Sequence, residues 1–294
     1  MRHVDKEQLR RLAPQRLFDD LENARQALAA LETEDEKRRY IEQSGPVCTA
    51  FRHWLWIAGS LKCWYSEAKV MADDGEVEHF RPKGRVWQSQ PAHGGYLWRA
   101  FDWRNFRLAH RSVNTRRTDY STEQKAGKGC YFPLRDEHLR ARAADAEERE
   151  EPVLLDPTVP QDCVLLCFDD NSGKPIPFYS EQDDEWRHRR AADSINYYHL
   201  DEGTWNAQRA DLMREVSILC ERVLAAAAED DRNNYNELLG ELLEYLGSYA
   251  EFSAAAAQVV SVKGLFTHVY PAPEQRGLPH VNGAEAGADL DETR

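Results

Sequence analysis

A carboxylate stands beside a histidine at Glu78-His79, Asn105 follows 26 residues after the histidine, and Asn114 comes nine residues later. This order constrains the fold more than any other feature, because it asks for a strand, a break and a second element that returns to the strand. Residues 76–83 read Glu-Val-Glu-His-Phe-Arg-Pro-Lys. They fit a short strand that Pro82 ends, since proline has no amide to give a ladder. A long polar loop follows, punctuated by Gly84, Pro91, Gly94 and Gly95. After Asn105 the pattern reads as helical, with Asn105 as the N-cap that takes an orphan amide of the first turn. Asn114 would then lie about two and a half turns into that helix. His110, four residues earlier, would share its face.

These residue types suit hydrolysis of a phosphodiester, which needs a base for water and a cation for the phosphoryl charge. His79 is the candidate base, because an imidazole takes up a proton near neutral pH. Glu78 offers a hard oxygen of the kind Mg²⁺ or Mn²⁺ prefers. The amide oxygen of Asn114 is the candidate second ligand, with His110 as a further ligand or supporting group.

The same residues resemble those of HNH, or ββα-metal, endonucleases. They look closest to the PtuB-like subunits of Septu and retron anti-phage systems. The likeness is carried by Lys-Cys-Trp-Tyr-Ser-Glu at 62–67 and Val-Glu-His-Phe-Arg-Pro-Lys at 77–83. It continues in Gly-Tyr-Leu-Trp-Arg-Ala-Phe-Asp-Trp-Arg-Asn at 95–105 and Gly-Lys-Gly-Cys-Tyr-Phe-Pro-Leu at 127–134, and more loosely in Glu-Pro-Val-Leu-Leu-Asp-Pro at 151–157. The resemblance implies His79 as general base and Asn105 as the residue holding the loop that orients it. It implies Glu78 and Asn114 as ligands of one divalent cation, Mg²⁺ or Mn²⁺, and Arg81, Lys83 and Arg117 as phosphate contacts. The implied substrate is DNA, with RNA left open, and the implied partner is a separate ABC- or SMC-like ATPase subunit. The chain departs from the family at its zinc knuckles. Of the four ligand positions at most Cys63 and His110 remain, with Ser66 and Val113 at the other two. Two ligands do not close a structural zinc site, so none is expected. Trp64, Tyr65, Trp98 and Trp103 are then left to brace the module.

Composition sets the outer limits. The 294 residues are 41% hydrophobic and 30% charged, as in a globular chain. The net charge of −13 opposes avid nucleic-acid binding by the whole surface. Residues 80–118 invert that balance, with nine Arg or Lys against Asp102 alone. A basic island of this kind suits a phosphate-facing patch; the plainer alternative is that its arginines pair with acidic flanks. No apolar run reaches membrane-spanning length and the N-terminal residues are polar, so a cytoplasmic protein is expected. The six cysteines then read as thiols, with Cys163 and Cys167 in core packing. No Gly-rich phosphate loop is present, so any ATPase activity would belong to another chain.

The expected fold class is α+β, mostly α. A small ββα-metal module at 62–135 is embedded between N-terminal helices at 1–61 and a second half at 136–270, and 271–294 form a disordered tail. Apolar spacing predicts one helix over 12–43 and another over 47–61. The charged run at 136–151 reads as a solvated helix or linker. A hairpin of 164–168 with 175–179 is expected around the Asp-Asp-Asn-Ser-Gly turn at 169–173, and helices from 186 to 266, suited to packing or partner binding. An alternative reading from another class is a catalytically inactive HNH-fold adaptor that docks a partner protein or nucleic acid.

Overall fold

The computed structural model describes residues 1–118 and 125–269. The expected tail at 271–294 lies outside them. Among the described residues the fold is α+β and mostly helical, with three two-stranded antiparallel sheets. Among the described residues no helix is long and apolar enough to cross a membrane.

The N-terminal helices are shorter than their apolar spacing predicts. After α1 (Gln8–Leu12), the single helix expected over 12–43 is two, α2 (Gln15–Ala29) and α3 (Glu34–Gln43). Thr33 explains the break. Its hydroxyl accepts from the Glu36 amide at 3.2 Å, and the Glu36 carboxylate accepts from the Thr33 amide at 3.0 Å. This capping box starts a new helix within the old leucine register. The second expected helix also splits, into α4 (Gly45–Thr49) and α5 (Arg52–Ala58).

Strand β1 (Gly75–His79) pairs antiparallel with β2 (Phe106–His110), from Gly75 opposite His110 to His79 opposite Phe106. The helix expected directly after Asn105 is therefore a strand. All of Phe106, Arg107, Leu108 and Ala109 are buried, so the segment is covered on both faces and carries no polar alternation. A short strand of that kind cannot be told from buried helix by periodicity. The helix that does follow, α6 (Arg111–Asn114), is one turn long. His110 caps it, with Nδ1 accepting from the Ser112 amide at 3.1 Å. Asn114 thus ends α6 instead of lying deep within a helix. Strands β3 (Arg117–Thr118) and β4 (Lys125–Ala126) form a second small sheet.

Downstream, α7 (Pro160–Cys163) leads into the expected hairpin, β5 (Leu166–Phe168) with β6 (Pro175–Pro177). Its turn closes on Gly173, whose φ of +65° suits glycine. Four longer helices follow, α8 (Glu185–Tyr197), α9 (Gly203–Ala228), α10 (Arg232–Leu246) and α11 (Ser253–Val262), then the short α12 (Phe266–Val269). They lie where the leucine and alanine spacing predicts.

The β1–β2 hairpin is a wall between two apolar cores. One core joins α1–α5 to Trp64, Trp103, Phe106 and Leu108. The other joins Tyr65, Phe80, Ala109 and Val113 to α8–α11. Alternation along the strands sends neighbouring side chains into opposite cores. The turn at 62–69 fastens the wall to the C-terminal helices. Cys63 bonds backbone to backbone with Ala68 at 2.9 Å, while the Glu67 carboxylate accepts from Ser253 Oγ at 2.9 Å and from the Ala254 amide at 3.2 Å. Cys63 itself packs into the second core.

Candidate active site

His79 ends β1 on the side of the N-terminal core, with its ring edge-on to Phe106 at 5.0 Å. Its Nε2 lies 2.9 Å from the carbonyl oxygen of Ala100. A carbonyl only accepts, so Nε2 carries the proton and the lone pair of the neutral ring sits on Nδ1. Burial first, and then the Lys83 and Lys128 charges, push its pKa down to about 3, against the Ala100 bond. The imidazole is therefore neutral across the physiological range, with Nδ1 as its basic atom. It keeps 9% exposure.

Asn105 builds the surroundings of that imidazole. Its Oδ1 accepts from the Arg81 amide at 2.8 Å, and its Nδ2 donates to the Arg81 carbonyl at 2.9 Å and the Arg99 carbonyl at 3.3 Å. One amide thus ties the chain just after His79 to the turn that presents Ala100. Asn105 sits where the resemblance puts a loop-holding residue.

Glu78 points the other way, toward Tyr65 and Lys128, and is 1% exposed. Its Oε2 accepts from the Tyr65 hydroxyl at 2.7 Å and its Oε1 is paired with Lys128 Nζ. The same ammonium donates to the His79 carbonyl at 2.9 Å. The Lys128 backbone is held to α6, with its amide 2.8 Å from the Val113 carbonyl and the Gly129 amide 2.8 Å from that of Asn114. Lys128 thus bridges β1 and the end of α6. Sequence reasoning quoted this lysine inside a motif without giving it a role. The available signal was a lysine between two glycines, followed by apolar residues. Tyr65 was likewise expected only as a brace.

Asn114 turns its amide to Glu76, with Nδ2 2.8 Å from Oε2, and Thr115 Oγ1 lies 3.1 Å from the same oxygen. Glu78 and Asn114 therefore engage different partners. A divalent cation would need their oxygens to converge, but both Glu78 oxygens already hold donors, one of them a cation. No group of three or more His, Cys, Asp or Glu side chains suited to a metal occurs among the described residues. As arranged, these donors do not fit the expected Mg²⁺ or Mn²⁺ ion. His110 is occupied as the cap of α6 and packs edge-on to Trp205 at 5.3 Å.

The basic island divides. Arg81, expected at phosphate, places its Nε 3.0 Å from Glu150 and stacks over Phe132. Arg99 holds Glu147, and Arg107 holds Asp156 at 2.6 Å. The charged run at 136–151 is consequently not a solvated helix or linker. Its Glu147 and Glu150 are buried, drawn in by the arginines they neutralise. Lys83 stays partly exposed, close enough for its charge to act on His79. Arg85, Arg111 and Lys125 are exposed. The side chain of Arg117 lies outside the described residues.

No protein-family model matches the chain. It is similar to the Septu protein PtuB of Bacillus mycoides (strain KBAB4), with 27% identity over 164 residues, 53% of this chain and 48% of that protein. The chain thus spans about half the length of the curated relative it matches, and the likeness links it to a defence-system protein.

Proposed function

We propose that this chain is an HNH-type endonuclease that hydrolyses DNA phosphodiester bonds, and that it serves as the nuclease subunit of an anti-phage system together with a separate ABC-type ATPase. The observation that carries the reading is the His79 clamp. The Ala100 carbonyl accepts from Nε2–H, Asn105 ties the chain just after His79 to the turn that presents Ala100, and Nδ1 of the neutral imidazole holds the lone pair that a general base needs. Lys83, partly exposed and with its charge acting on His79, is the cation assigned to the phosphoryl oxygens. The similarity to a Septu PtuB supports the defence context. Glu78 and Asn114 are not assigned a metal, and no step runs through one. The test is cleavage of plasmid DNA, with the partner ATPase supplied and with Mg²⁺, Mn²⁺ or chelator in parallel arms. His79→Ala is expected to abolish cutting that the parent performs. Equal cutting by the two sinks the reading.

One observation favours a second reading, a non-catalytic adaptor: the Glu78 carboxylate is sealed by Tyr65 and Lys128. An adaptor would bind its partner and protect cells equally well with His79→Ala. Loss of protection in a variant that still binds the partner excludes it.

A further inference from the structure

One cation of the basic island, Arg116, lies beside an exposed aromatic surface. Trp87 is 47% exposed, although it belongs to a loop fixed at both ends. Its ring lies directly on Gly129, whose φ is +52°, and a Cβ there would collide with the indole. Gly129 is the neighbour of Lys128, which reaches Glu78 and the His79 carbonyl. The indole is thus seated one residue from the candidate site, on backbone hydrogen-bonded to α6. Tyr131 stands edge-on to Trp87 at 5.2 Å and lies tilted against Tyr197 at 4.9 Å. The Arg116 guanidinium sits 4.7 Å above the Tyr131 ring and 5.9 Å from that of Trp87. Among the described residues Arg116 has no carboxylate partner, unlike Arg81, Arg99 and Arg107. Arg85 and Lys125 are exposed on the two segments that carry Trp87 and Gly129.

An exposed indole with a guanidinium beside it offers a π-face and a phosphate contact together. Duplex bases already stack on one another, so only an unpaired base has a free face for the indole. We propose that Trp87, flanked by Tyr131 and Arg116, is a platform on which an unpaired base of single-stranded DNA stacks as the strand passes the candidate site. The proposal rests on the nuclease reading and names its substrate form. Trp87 and Arg116 are binding residues here, outside the catalytic machinery.

The test is binding, not cleavage. In the full-length His79→Ala chain, fluorescence anisotropy at low salt compares a labelled single strand, the blunt duplex of the same sequence, and the RNA strand. The single DNA strand is expected to bind most tightly. Trp87→Ala should weaken it by about 5- to 150-fold, the loss of one stacked base, with little change for the duplex. Trp87→Phe should keep most of the affinity, which separates stacking from damage to the fold. Arg85→Ala should weaken single strand and duplex alike and reduce the salt slope. Unchanged single-strand affinity in Trp87→Ala, preference for the duplex, or tighter binding of RNA each overturns the proposal. The nuclease reading fails separately, on cutting by His79→Ala, whatever Trp87 does.

Discussion

At the scale of single residues, two side chains carry more than their size suggests. Asn105 makes three hydrogen bonds to backbone groups of Arg81 and Arg99. Removing it takes the side-chain partner from the Arg81 amide and carbonyl, while the Arg99 carbonyl keeps the Asp102 amide. Asn105→Ala is expected to lower stability by about 2–4 kcal/mol, read as the urea midpoint, and to abolish any cleavage that His79 supports. An unchanged midpoint would show that water replaces the amide. Lys128 is fully buried and neutralises Glu78. Lys128→Met leaves that carboxylate alone, at about 3–5 kcal/mol. Adding Glu78→Gln to it removes the buried charge and should recover a large part of the loss in the same denaturation series. No recovery would mean that the pair is not coupled. The order of Glu78 and His79 singles them out in the sequence, but it gives no sign that Lys128 seals Glu78. Its significance depends on a partner 50 residues away in sequence.

At the scale of elements, β2 is the hinge of the arrangement. It supplies Phe106 to the His79 ring and Arg107 to Asp156. Burial by itself would raise the Asp156 carboxyl. The Arg107 guanidinium and the Thr158 hydrogen bonds outweigh it and hold the carboxyl below its ordinary 3.8. A depressed carboxyl contributes stability above its unfolded value and loses that contribution as the pH falls through the folded one. Unfolding midpoints taken down an acid series should therefore drop in the parent below its ordinary value of 3.8, while Asp156→Asn, less stable at neutral pH, gives a flatter acid limb. Parallel limbs would show that Asp156 is not the linked group. Sequence periodicity misjudged this element because both of its faces are covered. The helices α9 and α10, with one face in solvent, were legible for the opposite reason.

At the scale of the whole molecule, the hairpin wall is joined to the helical half through Glu67. Its carboxylate holds Ser253 and the Ala254 amide at the start of α11, and lies 3.8 Å from Lys62. Glu67→Ala should loosen that joint, costing about 2–4 kcal/mol, and speed amide exchange in α11 before α9 or α10. Uniform exchange across all three helices would assign the joint to apolar packing. The large helical half packs against the β1–β2 wall but contributes no residue to the His79 clamp. By itself the sequence determined the α+β class, the C-terminal helices and the β5–β6 hairpin. Each of these depends on local propensity, on one-sided periodicity or on short spacing. Only tertiary structure decided that Arg81, Arg99 and Arg107 of the basic island would be taken by Glu150, Glu147 and Asp156. It alone decided that Glu78 would face an ammonium and that Asn114 would turn to Glu76. Those choices are made by charges and donors brought together from distant segments. Which carboxylate an arginine, a lysine or an amide meets is set by the packing of the cores around it, and a linear pattern does not carry that information.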